Sequence, residues 1–267
     1  VVDRLSALDA SFLYLEERVA PMHVGAVGVF RRPRSGFDYG QLVGLIRRRL
    51  GEAPRYRQRV VGVPGRLARP VWVDDPDFDL TYHVRRSALP RPGAEGQLVD
   101  LVARLLSRPL DQARPLWEAY LVEGLARGRF ALVTKTHQAL VDGMGTFDIG
   151  QSILEATPQL PEPEAADGWR AGRLPGRTRL EADAVREAVR QPREMAENAR
   201  SAATDVLTTA RKVAGAVVSA IGDVARPAAS GPLNVPIGSQ RRYAVARAPL
   251  DDLRGLRDEH GGTVNDA

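Results

Sequence analysis

The sequence contains no cysteine. Disulfides, thiolate metal sites and cysteine nucleophiles are therefore excluded, and nothing points to an oxidising compartment. Aromatic residues make up only 6% of the chain, so a core has to be assembled mainly from Leu, Val, Ile and Ala. Lysine is nearly absent too, occurring only at Lys135 and Lys212, and arginine supplies the rest of the basic charge. No stretch approaches the roughly 20 consecutive apolar residues needed to span a bilayer. The opening residues Val1 to Leu5 carry no apolar signal-peptide core. The four histidines (His23, His83, His137 and His260) show no metal-ligand spacing. The expectation from these absences is a soluble cytoplasmic protein, with peripheral membrane contact as the alternative.

What is present has a globular balance: 267 residues, 43% hydrophobic and 27% charged. That excludes a wholly disordered or fibrous chain. The formal charge of +5 suits an anionic ligand or a membrane surface as well as nucleic acid. Because no basic stripe with interleaved aromatics is visible, no nucleic-acid partner is expected.

Hydrophobic periodicity predicts a mixed α/β organisation. Ser6 begins a capped apolar run through Phe12 and Leu15. Met22 to Phe30 reads as a strand, and Tyr39 to Leu50 as a helix ended by Gly51. Arg69 to Val73 and Leu80 to Val84 are short strand candidates. Gln97 to Leu106 has Leu98, Leu101, Val102 and Leu105 on one helical face. Trp117 to Val122 and Phe130 to Thr134 read as two strands of an antiparallel hairpin turning through Gly124 and Gly128. Phe147 to Leu154 reads as a further helix.

At Ala156 the texture changes to a proline-rich, unperiodic stretch that predicts a linker. From Arg179 to Val224 small apolar residues recur at helical spacing, interrupted by Pro192. That stripe lacks Trp, Phe and Tyr, which favours packing on the lobe over insertion at a membrane surface. Arg241 to Ala248 looks strand-like again, and Leu250 to Glu259 helical before Gly261-Gly262. These shifts predict three regions: 1–155, 156–232 and 233–267.

The chemically informative stretch is Thr134 to Gly145, TKTHQALVDGMG. One His near one Asp is a weak signal alone, and by itself a structural histidine is the better explanation. Other stretches add to it in order: Leu5 to Phe12 (LSALDASF), Pro21 to Gly25 (PMHVG), and Arg114 to Trp117 (RPLW). Pro232 to Gly238 (PLNVPIG) and Thr263 to Asp266 (TVND) complete the series. Together they resemble the bacterial wax ester synthase/diacylglycerol acyltransferase family.

The resemblance implies the first lobe of a two-lobe, CoA-dependent, chloramphenicol acetyltransferase-like α/β fold, followed by a helical connector. On that reading, residues 1–155 are the N-terminal lobe and 156–232 the linker and connector. Residues 233–267 begin a second lobe into which the family pattern continues, so the chain is expected to be the front part of that pattern. The implied reaction moves a long-chain acyl group from acyl-CoA to diacylglycerol or a fatty alcohol. Acyl-CoA enters as substrate, with no resident cofactor or metal, and the lipid acceptor implies membrane or lipid-droplet contact.

The family motif is His-His-x-x-x-Asp-Gly, whose second His takes the proton from the acceptor hydroxyl. Counting back from Asp142 and Gly143 places His137 and Gln138 at the two histidine positions. The general-base position is therefore a glutamine, and a primary amide hydrogen-bonds but accepts no proton at useful pH. General-base help is worth roughly 10²–10⁴ in rate, about 3–5 kcal/mol of barrier. Three readings stay open. His137 could substitute as base, although strand alternation turns adjacent side chains to opposite faces unless the backbone bulges. Gln138 could orient the acceptor while proximity gives slow turnover. Or the chain could bind lipid or acyl-CoA, or pair with an active homologue, without catalysis.

The resemblance also implies that Asp142 holds the motif loop and Gly143 leaves space for acyl-CoA. Trp117 is either a core anchor beside the substrate tunnel or a substrate contact. Lys135 is either a solvated charge or an attractor of the CoA phosphates. His23 reads as a structural partner, and Asn265-Asp266 as support near the site.

Overall fold

A computed structural model describes residues 3–16, 20–66, 68–141, 169–172, 174–190 and 238–263. The chain opens with a two-residue strand β1 (Asp3–Arg4) and helix α1 (Ala7–Leu15). The Ser6 hydroxyl caps α1 by accepting the Asp9 N–H at 3.0 Å. Strand β2 (His23–Arg31) leads to α2 (Tyr39–Glu52), which begins with a reciprocal capping box between Asp38 and Gln41. Leu42, Leu45, Ile46 and Leu50 recur on one face of α2 and are all buried.

Next come β3 (Gln58–Val61), β4 (Val71–Asp74), a single helical turn α3 (Leu80–His83), and β5 (Val84–Ala88). The expected strand at Leu80 to Val84 is thus a helical turn with the strand starting at its end. Asp79 is the reason: its carboxylate accepts the Thr81 N–H at 2.8 Å and turns the chain. Strand β3 had no sequence signal, being only four half-buried residues without alternation.

Helix α4 (Glu95–Leu106) precedes the hairpin of β6 (Trp117–Leu125) and β7 (Arg129–His137). The hairpin is antiparallel, as the sequence predicts, and both strands run longer than their apolar runs. Its turn uses positive φ at Gly124 (83°), Arg127 (63°) and Gly128 (65°). The four-residue turn α5 (Gln138–Val141) follows directly on β7. Two further helices are α6 (Arg177–Arg190) and α7 (Leu250–His260). Residues 142–168 and 191–237, with the expected linker, the Phe147 helix and most of the connector, lie outside the described residues.

Two sheets form. A small antiparallel one has the order β1-β4-β3, and the main one has the order β2-β7-β6-β5. In the main sheet only the β5–β6 pair is parallel. One face carries Trp117, Ala119, Leu121, Phe130 and Leu132 against α2. The opposite face carries Tyr120, Val122, Ala131 and Val133 against Leu98 and Val102 of α4. Leu180 of α6 packs on Val63, Val71 and Val73.

The segment 241–248, expected as a strand, forms no ladder. It crosses the α4 face instead, with Tyr243 packed on the second core and Arg247 paired with Glu95 at 2.6 Å. Its polar and apolar residues therefore alternate for packing on a groove and not for pairing in a sheet.

Candidate active site

The motif sits where β7 ends. The β2–β7 register runs without interruption from Arg31↔Arg129 to His23↔His137, so no bulge intervenes before Gln138. The backbone is gripped from both sides at this point. The His137 N–H donates to the Leu116 carbonyl at 3.0 Å, and the Gln138 N–H to the Met22 carbonyl at 2.9 Å. Alternation then puts the His137 side chain on the α4 face with Lys135 and Val133.

His137 is wholly buried, at 0% exposure. Its Nδ1 accepts the Ala139 N–H at 3.1 Å, satisfying one of the unpaired donors at the start of α5. That hydrogen-bond pattern assigns the imidazole proton to Nε2. Nε2 faces Glu16, with Oε2 3.7 Å away, and has no partner within hydrogen-bond distance among the described residues. Burial pushes the Glu16 carboxyl up, but His137, the Gln112 amide and the Met22 N–H together hold it below the usual carboxylate range.

Gln138 differs in setting. It is half-buried, and its side chain has no hydrogen-bond partner among the described residues. Asp142 and Gly143 lie outside the described residues.

The remaining residues singled out in the sequence lie deeper. Lys135 is 1% exposed. Its ammonium donates to the Leu105 carbonyl at 3.3 Å and to the Arg108 carbonyl, and lies 3.7 Å from Glu118. Burial lowers its pKa, and the attraction of Glu118 offsets this only in part. The ammonium thus closes the C-terminal end of α4 and is not turned to solvent, where a CoA phosphate would meet it.

Trp117 is also fully buried, on the α2 side. Its Nε1 donates to the Tyr56 carbonyl at 2.7 Å, and its ring stacks on His83 at 4.8 Å. His83 in turn bonds the Trp117 carbonyl through Nδ1 at 2.7 Å, and burial lowers its pKa. His23 contacts the Leu106 carbonyl at 3.1 Å. Burial, then the Lys135 charge, hold the His23 imidazole down at about 4, so it is neutral at physiological pH.

The structure brings His137, Gln138, Lys135 and His23 to one end of the β2–β7 pair and leaves Trp117 on the other face of the sheet. Glu16 and Gln112 complete the polar cluster around His137. Glu16 lies just beyond the opening motif, which was the one signal available for it; Gln112 had none. Among the described residues no cluster of His, Asp or Glu could hold a metal ion. None of their helices is long and apolar enough to cross a membrane.

The profile of the wax ester synthase/diacylglycerol acyltransferase catalytic domain matches residues 5–267. The chain belongs to this acyltransferase family.

Among its relatives, a Mycobacterium tuberculosis protein named as a probable diacylglycerol O-acyltransferase, tgs3, is 48% identical over 263 residues, covering 96% of each chain. A second from the same organism, tgs2, is 36% identical over 285 residues and covers all of this chain but 58% of its own. Among solved structures, the wax ester synthase/diacylglycerol acyltransferase from Marinobacter aquaeolei superposes with a TM-score of 0.65 at 31% identity. That match covers 98% of this chain and 57% of the Marinobacter protein. The chain therefore spans nearly all of one relative and just over half of two others. The α/β first-lobe architecture expected from the motifs is the one observed.

Proposed function

We propose that this protein binds a long-chain acyl-CoA and transfers the acyl group, at low turnover, to the hydroxyl of diacylglycerol or a fatty alcohol. The products would be triacylglycerol or wax ester. In such a transfer the acceptor oxygen attacks the thioester carbonyl, the C–S bond breaks, and the hydroxyl proton ends on the departing CoA sulfur. A base at position 138 would carry that proton. The Gln138 amide can accept a hydrogen bond from the hydroxyl and orient it, but it cannot take the proton. The observation that carries the reading is the contrast at the end of β7. His137 is enclosed and engaged through Nδ1, whereas Gln138 is half-exposed and without a side-chain partner among the described residues.

That contrast removes support from His137 as a substitute base. A proton acceptor has to reach the acceptor hydroxyl, and the one free lone pair of this ring is already used by Ala139. The missing base equally favours a second reading, in which acyl-CoA is bound without turnover. A lipid acceptor would place the protein at a membrane or lipid-droplet surface on its cytoplasmic side.

The test is acyl transfer from labelled palmitoyl-CoA to dioleoylglycerol and to hexadecanol by the wild-type protein and Gln138→His. The variant should transfer at least about tenfold faster, since a positioned imidazole supplies roughly 10²–10⁴. Palmitoyl-CoA binding by both proteins without any gain in transfer would leave the binding-only reading. Absence of both binding and transfer would sink both.

A further inference from the structure

We propose that Glu16 is a positioning residue for residue 138, acting through His137 and Met22; this rests on the acyl-transfer reading above. The first N–H groups of α5 (Gln138–Val141) have no carbonyl within the helix to bond. Its start depends on external anchors, and two are present. The Gln138 N–H is held by the Met22 carbonyl, and the Ala139 N–H by His137 Nδ1.

Glu16 reaches the residue behind each anchor. Its Oε1 accepts the Met22 N–H at 3.1 Å, on the other side of the same residue whose carbonyl holds Gln138. Its Oε2 faces His137 Nε2 at 3.7 Å and also accepts the Gln112 side-chain amide. The second contact bears on the tautomer. The anchor at Ala139 works only if Nδ1 is unprotonated, because an Nδ1–H would face the Ala139 N–H. A buried carboxylate on the Nε2 side favours the proton on Nε2, which leaves Nδ1 free to accept. One carboxylate thus supports both hydrogen bonds that fix where residue 138 starts. The Glu16 side chain is 5% exposed and the His137 side chain 0%, so water does not compete strongly for either group. Gln112, on the exposed side, tethers the carboxylate in place.

The test has two arms. Long-range ¹H–¹⁵N spectra of the wild-type protein should show His137 as the Nε2–H tautomer alone. In Glu16→Ala the Nδ1–H form should appear, while Glu16→Gln, which keeps one acceptor oxygen where two are used, should retain Nε2–H only in part. In the Gln138→His background, Glu16→Ala should lower kcat roughly 10–100-fold with KM for palmitoyl-CoA within about twofold, and Glu16→Gln, which can keep one of the two anchors, should recover only part of it. An unchanged tautomer together with an unchanged kcat in folded Glu16→Ala would overturn the proposal. Should Glu16→Ala fail to fold, Gln112→Ala carries the test from an exposed position. It should lower kcat with KM unchanged, and no effect on kcat overturns the proposal. Should Gln138→His gain no transfer activity, the acyl-transfer reading fails, and the tautomer arm alone decides whether Glu16 sets the state of His137.

Discussion

Replacing Lys135 by methionine tests the polar cluster behind the motif. Methionine nearly matches the stem in volume, so the change removes the charge and its hydrogen bonds with little change in packing. Three contacts are lost: the Leu105 carbonyl at 3.3 Å, the Arg108 carbonyl, and Glu118 at 3.7 Å. Removing one partner of a buried ion pair costs about 3–5 kcal/mol when the other is left unpaired. Here Glu118 keeps Arg85 at 3.2 Å and the Tyr120 hydroxyl at 2.6 Å, and Leu105 keeps the Arg108 N–H. The loss should therefore fall below that range, at about 2–3 kcal/mol. Urea denaturation measures it directly, with an unchanged slope showing that compactness is preserved. Adding Glu118→Gln to Lys135→Met removes the charge left behind, so the double variant should lose less than the sum of the two single ones, by about 1 kcal/mol. A loss under about 0.5 kcal/mol for Lys135→Met would refute the reasoning, because an ammonium turned to solvent would cost no more than that.

Two more outcomes follow from the same physics. Trp117→Phe leaves the buried Tyr56 carbonyl without its indole donor and opens space beside His83, so it should cost roughly 2–3 kcal/mol in a urea titration; a neutral result would place Trp117 outside the core framework. The folded protein should also lose stability as pH falls from about 6.5 toward 4. Unfolded histidine takes a proton in that window, whereas folded His23 stays neutral down to about 4 and His83 is lowered in the same direction. Because His23 is partly exposed, its share between pH 7 and 5 is discounted to about 1 kcal/mol. His23→Gln should lose correspondingly less over that interval, and identical losses in both proteins would remove His23 as a contributor.

The parts of the fold that were legible in the sequence are those with one sustained period. Helices α2 and α4 show their apolar stripes plainly, and the β6–β7 hairpin shows two apolar runs with glycines between. The expected strand at Leu80 is a helical turn because the run Leu80-Thr81-Tyr82-His83 fits either state, and the cap at Asp79 decides between them. Segment 241–248 forms no strand because its alternation suits packing of Tyr243 on the second core as closely as a ladder.

The register of the motif, and with it the glutamine at position 138, was determined by the sequence alone, since counting back from Asp142-Gly143 needs no coordinates. What that glutamine sits beside was decided only by the tertiary structure. Glu16 and His137 face each other where α1 ends beside the end of β7, and Lys135 is drawn inward by carbonyls at and just beyond the end of α4, far away along the chain. Spacing along a chain encodes which face a residue takes within its own element. Which charges meet across elements depends on how the elements pack, and that packing here turned the lysine into a structural cation and gave the buried histidine a carboxylate neighbour.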